Sequence, residues 1–146
     1  MAGSGNLRVF ICGIIQGSHS GLDVHGQDYR KRIKDLIKQH LPSAEVYCPV
    51  SVHPESPTYD DEKAFEVLEE SVEAAKRSHL LIAYLPEASM GSAIEMWEAK
   101  RAGVRVVSVT PLRENWVVRY TSDLVVGSID EFAHLLESST VQTLLQ

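Results

Sequence analysis

Leu80-Leu81-Ile82-Ala83-Tyr84-Leu85, followed within a few residues by Ser89-Met90-Gly91-Ser92-Ala93-Ile94-Glu95, is the stretch that decides the fold. The first run is apolar and of strand length, and the second opens a helix that continues through Met96-Trp97-Glu98-Ala99. Small hydroxyl residues and a glycine at a strand-to-helix turn leave backbone N–H groups free to meet an anion, typically a phosphate. Glu95, one to two turns further in, then stands beside whatever that phosphate is attached to. Such a cradle with a nearby acid suits chemistry on a nucleotide.

Ser92 and Glu95 are also spaced as a capping box, in which the serine caps the helix and the glutamate reaches back to it. Two features favour the anion reading. Ser89 and Gly91 are small residues that a cap does not require. The helix also has two faces free of charge apart from one acid. Met90, Ala93, Ile94 and Trp97 form an apolar stripe at i, i+3, i+4 and i+7, expected to cover a sheet. Glu95 lies nearly opposite, in a row with Gly91, Ala99 and Ala102, which suggests a close neighbour or a pocket wall.

Outward from this stretch, strands and helices alternate. Strands are expected at residues 7–12, 45–50, 80–85, 104–109 and 123–126, and helices at 27–40, 60–76, 114–120 and 129–136, besides the one containing Glu95. A loop rich in Pro, Ser and His spans 51–59, and Gly103 stops the Glu95 helix. Alternation with near-continuous apolar strands predicts an α/β fold: a flavodoxin- or Rossmann-like three-layer α/β/α arrangement around a five-stranded parallel sheet. Ligands in such sheets bind beyond the carboxyl ends of the strands, where strand order reverses. The loops after the first and third strands should meet there.

The 146 residues suit one domain, and 44% hydrophobic residues suffice for a normal core. A formal charge of -6 argues against a nucleic-acid polymer or an anionic membrane as the main partner. Tyr29-Arg30-Lys31-Arg32 is a local basic cluster, read as a solvated helix face. Cys12 and Cys48 read as small buried residues of a reducing compartment, and the six histidines have no metal-ligand spacing. Neither a membrane-spanning run nor a signal-peptide core is evident, so a cytoplasmic location is expected. The opening residues 1–6 are expected to be disordered.

The first loop reads Cys12-Gly13-Ile14-Ile15-Gln16-Gly17-Ser18-His19-Ser20-Gly21. Its glycines allow close approach of backbone N–H groups to a phosphate or sugar, but their spacing is not that of the dinucleotide fingerprint. Val9-Phe10-Ile11-Cys12-Gly13 together with Ser89-x-Gly91-x-x-x-Glu95 resembles the nucleoside 2-deoxyribosyltransferase superfamily. The resemblance is nearest to its branch of N-glycosidases (N-hydrolases) acting on nucleoside 5′-monophosphates, and runs from the first strand to Gly103. It implies a single domain over residues 7–146. It also implies Glu95 as the nucleophile at C1′, Ser89 and Gly91 on the 5′-phosphate, and Gly13, Gln16 and Gly17 in the pocket wall. A second acid is implied on the 60–76 helix. That helix offers Glu66, Glu69, Glu70 and Glu73, and Glu69 is chosen because it flanks an expected buried stripe of Phe65, Leu68, Val72 and Ala75. Asn115 is implied to reach a neighbouring subunit's pocket, whereas Trp116 suits a core and an interface equally. The chain departs from the phosphate-specific branch at Ile14 and Gln16, where that branch has Ser and Arg. It departs again at His79, where the family has Asp.

The resemblance therefore implies cleavage or exchange of the N-glycosidic bond of a nucleoside or nucleotide, without a metal or organic cofactor. It also implies a homodimer or higher homo-oligomer. The exposed faces of the Glu95 helix and the residues 115–120 are the expected interface. A non-catalytic nucleotide-binding or sensing module of the same fold is the alternative. A phosphoribohydrolase of the cytokinin-activating type ranks lower, because its double glycine is missing here.

Overall fold

The computed structural model describes residues 5–13 and 28–146. Within them the chain runs β1 (Arg8–Gly13), α1 (Asp28–His40), β2 (Glu45–Tyr47), α2 (Pro49–Val52), α3 (Asp61–Lys76), β3 (Leu80–Tyr84), α4 (Met90–Arg101), β4 (Arg105–Val109), α5 (Trp116–Thr121), β5 (Leu124–Val126), α6 (Ile129–Glu137) and α7 (Thr140–Leu144). A 3-10 turn sits at Ser56–Thr58. The five strands form one sheet in the order β2-β1-β3-β4-β5, and every pairing is parallel. This is the α/β architecture expected from the alternation of elements. After β2 the chain crosses β1 to place β3 on its other side, so strand order reverses between β1 and β3. There Gly13 lies in register with Tyr84, and Cys12 with Ala83.

Because side chains alternate across a strand, each strand feeds two cores. Val9 and Ile11, Leu80 and Ile82, and Val107 and Val109 cluster with Ile33 and Ile37 of α1, Phe132 and Leu136 of α6 and Val141 of α7. Phe10, Cys12, Leu81, Ala83 and Val106 cluster with Ala75 of α3, Met96 and Ala99 of α4 and Val118 of α5. Helix ends are set by local chemistry. Asp60 caps α3 by accepting from Lys63 N at 2.9 Å. Asn115 caps α5 through Val117 N and Val118 N. Gly103, at φ +83°, stops α4 and lets Val104 N return to Ala99 O.

Several expectations shift. The second strand ends at Tyr47, because Pro49 fixes a helical φ and opens α2. Residues 129–136 do not form the last helix, since α7 follows it. Asn6, placed in the expected disordered start, donates to Glu45 Oε1 at 2.8 Å; residues 1–4 lie outside the described part.

The largest change concerns α4. Its N-cap is Ser89, and Ser92 lies inside the helix, so the Ser92–Glu95 capping box does not form. The helix turns Ser92, Glu95, Met96 and Ala99 inward and leaves Met90, Ile94 and Trp97 exposed. The stripe expected to cover the sheet is thus the outer face. The physical reason is closeness: α4 packs on α3 and over β1, β3 and β4, and small residues allow that approach. On α3 likewise, Ser71 and Ala75 are buried while Phe65 and Leu68 are exposed. Trp116 is 84% exposed, which excludes its core reading within one chain.

Gly13, at the carboxyl end of β1, is held to glycine by packing. A Cβ there would stand 2.4 Å from the hydroxyl of Tyr29, whose ring is buried and stacked on Tyr84 with centroids 4.3 Å apart. Gly13→Ala should therefore lower stability by about 1–3 kcal/mol. Urea denaturation with an unchanged slope measures this, and an unchanged midpoint would mean that Tyr29 moves aside freely.

Candidate functional site

A cavity of about 300 Å³ opens at the strand-order reversal. Cys12 and Gly13 of β1 form its floor, α3 supplies Ser71 and Val67, and His53, just after α2, supplies one wall. The first turn of α4 brings Ser89, Gly91 and Ser92, with Glu95 one turn behind them. The carboxyl end of β1 and the Ser89 turn thus line one cavity; the rest of the loop after β1, expected to meet that turn, lies outside the described residues.

Ser89 accepts from Ser92 N at 3.3 Å, and its hydroxyl donates to Ser92 Oγ at 3.0 Å. The cap is long, and α4 presents its amino end, the positive end of its dipole, to the cavity. A Cβ on Gly91 would meet nothing within 4 Å. Packing therefore does not explain this glycine, in contrast to Gly13.

Glu95 is 8% exposed, and its Oε2 has no hydrogen-bond partner among the described residues. Burial pushes its carboxyl from 4.5 up to about 8, and the nearby charge of Arg30 works in the opposite direction. Cys12, hydrogen-bonded to Ser92, is also raised, first by burial and then by the proximity of Glu95. A buried carboxyl oxygen without a hydrogen bond is costly to keep and uncommon outside sites with a chemical role.

Two further groups at the site were not among the residues expected there. Arg30 is not on a solvated face: it is 4% exposed and lines the cavity. It donates to Ile11 O at 3.4 Å, to Gly13 O at 3.3 Å and to Cys48 Sγ at 3.3 Å. The signal was present in the spacing, since Arg30 shares the buried row of α1 with Ile33 and Ile37. The ring of His53 is held between the Tyr59 hydroxyl at 3.2 Å and Glu70 Oε2 at 3.1 Å. Tyr47 donates to the other oxygen of Glu70 at 3.2 Å. No periodicity in the 51–59 loop marked His53.

Of the residues expected at the site, Gly13, Ser89, Gly91 and Glu95 come together. Glu69 does not: it is exposed and away from the cavity lining, because α3 faces inward through Ser71. The acid of α3 linked to a lining residue is Glu70, through His53. Asn115 caps α5 and borders a separate apolar cavity of about 80 Å³, which shares Ser89 with the larger one. Gln16 and Gly17 lie outside the described residues. His79 accepts from Arg8 N at 2.9 Å at the opposite end of β1, a structural role. No cluster of three or more metal-binding side chains occurs among the described residues, and no helix there is long and apolar enough to cross a membrane.

No family model and no curated protein matches the sequence. Among solved structures, the chain is similar to a conserved protein from Enterococcus faecalis V583, with a TM-score of 0.63 and 19% identity, covering 92% of this chain and 99% of that one. It is also similar to the 2-deoxyribosyltransferase of the psychrotolerant bacterium Bacillus psychrosaccharolyticus, with a TM-score of 0.63 and 10% identity, covering 86% of this chain and 90% of that one. That enzyme is described as a biocatalyst for the synthesis of nucleosides. At these identities the likeness shows a shared α/β fold.

Proposed function

We propose that this chain cleaves or exchanges the N-glycosidic bond of a nucleoside or nucleoside 5′-monophosphate, with Glu95 as the nucleophile. The observation that carries the reading is the buried Glu95 oxygen, without a hydrogen-bond partner among the described residues, in a cavity walled by the amino end of α4. The likeness in fold to a deoxyribosyltransferase supports it. The ionised carboxylate attacks C1′ as the bond to the base breaks, and its charge stabilises the oxocarbenium-like transition state. The resulting glycosyl ester is resolved by water or by a second base. Ser89, Gly91 and the first backbone N–H groups of α4 receive the 5′-phosphate. Gly13 lines the sugar side, as do Gln16 and Gly17 under this proposal. A second acid on α3, for which Glu69 was the expectation, is better sought at Glu70 and the His53 it holds. The absence of Glu69 from the cavity lining favours the alternative reading, a nucleotide-binding module without turnover, and base release separates the two.

Glu95→Gln should keep the fold and ligand binding and lose at least about 10³-fold in base release, followed over a panel of nucleosides and 5′-monophosphates. A carboxylate nucleophile must be ionised, so kcat/KM should rise about tenfold per pH unit and level off near pH 8. A fall above that pH would instead make Glu95 a general acid. The same group has a signature that needs no substrate. Its folded pKa lies above its unfolded value, so the native state binds the proton more tightly. Stability from this group is full below about 4.5 and is lost as pH rises towards about 8. Glu95→Gln should remove that loss, and its urea midpoint should gain on the wild type across this window.

Ser89→Ala should weaken 5′-monophosphates by about 1.5–3 kcal/mol more than nucleosides. Loss of the cap costs about 1 kcal/mol of stability and affects both ligand types alike. Equal losses in direct binding measurements would remove the phosphate role.

The outer faces of α4 and α5 suit a second copy of the chain. Met90, Ile94, Trp97, Trp116 and Tyr120 are all exposed, and Trp97 packs on Tyr120 with ring centroids 5.2 Å apart. Asn115 sits beside this surface, at the edge of the smaller cavity. Light scattering at low micromolar protein should give a dimer or larger, and Trp116→Glu should dissociate it; a wild-type monomer would contradict the assembly.

A further inference from the structure

We propose that Arg30 is the positioning residue of this site, a buried cation fixed at the end of β1 whose charge favours the ionised form of Glu95. The inference rests on Glu95 being the working carboxylate. Both side chains line the same cavity, and both are more than nine-tenths buried. A carboxylate in that position lacks a hydrogen bond to Oε2 among the described residues, so its charge must be compensated in another way.

The groups around it come from several elements. β1 contributes the Cys12 thiol and β2 the Tyr47 hydroxyl, and both would add a like charge if ionised. α3 contributes Ser71, and α4 itself Ser89 and Ser92, all uncharged. His53 lines the cavity with its two ring nitrogens engaged by Tyr59 and Glu70. Among these described groups, Arg30 alone carries a positive charge at every accessible pH.

Its placement is built rather than incidental. The Ile11 and Gly13 carbonyls and the Cys48 sulfur receive its guanidinium hydrogens. These anchors close the carboxyl end of β1 around it, one strand end away from the α4 turn. An arginine in the buried row of a helix is costly, and a packed apolar side chain would commonly give a more stable fold. Retaining the cation has a purpose if it opposes the neutralising effect of burial on Glu95, and this is the direction in which its charge acts.

The test follows the Glu95 carboxyl directly, by NMR titration of protein carrying 13C-labelled glutamate, with the resonance assigned through Glu95→Gln. The wild type should titrate near 8. Arg30→Gln leaves a neutral amide and loses the charge, and should move the midpoint up by about one to three pH units. Arg30→Lys keeps the charge without the planar fork, and should titrate close to the wild type. If Arg30→Gln folds only with an added osmolyte, all proteins are titrated in that osmolyte. An unmoved midpoint in folded Arg30→Gln overturns the proposal. So does an Arg30→Lys midpoint displaced as far as that of Arg30→Gln, which would mark a purely structural role. The titration needs no substrate. A chain that releases no base but shows these shifts contradicts the glycosidic reading alone, and one that releases base without them contradicts the role of Arg30 alone.

Discussion

The inward face of α4 is the constraint on which the site and its surroundings depend. Ser92, Glu95, Met96 and Ala99 look toward the sheet, at the point where β1 and β3 part in strand order. Two consequences follow from that one rotation. A carboxyl is carried into the interior. Met90, Ile94 and Trp97 are left outside, with Trp97 against Tyr120 and Met90 in solvent.

Each consequence has an energetic sign. Burying Glu95 without a full set of hydrogen bonds destabilises the fold above its unfolded pKa, and such local costs recur where a protein keeps a reactive group ready. The cost is carried by a well-packed frame. The strands on either side are almost fully buried, α6 and α7 close the opposite face, and Gly13 admits Tyr29 where any side chain would collide with it. Arg30 lies between frame and site, bonded to the end of β1 and electrically close to Glu95.

The order of elements and the parallel sheet were legible in the sequence, as was the approach of the β1 end at Gly13 to the Ser89 turn. Strand length, apolar runs and helix stops such as Gly103 are local signals, and local signals survive folding. Which face of a helix turns inward is less local. On α4 the hydrophobic stripe and the small-residue row competed, and hydrophobicity pointed to the wrong one, because close packing against α3 and the sheet selected small side chains. The same error moved Glu69 toward the site, because α3 also turns a small residue, Ser71, inward. Arg30 was readable from its 30, 33, 37 spacing, but charge outweighed spacing in the reading. His53 had no sequence signal at all: its place comes from Tyr59 and Glu70, which only the folded chain brings to it.

The central claim is that an oxygen of Glu95 forms a covalent bond to the sugar carbon C1′. The most direct measurement is intact-protein mass spectrometry, with peptide mapping, after an acid quench of turnover on a nucleotide fluorinated at C2′. Fluorine destabilises the cation-like transition states of ester formation and resolution alike, so that ester once formed survives to the quench. The account predicts a fluorodeoxyribosyl adduct confined to the peptide carrying Glu95, and absent in Glu95→Gln. Release of base without any adduct, or an adduct on another residue, would contradict it.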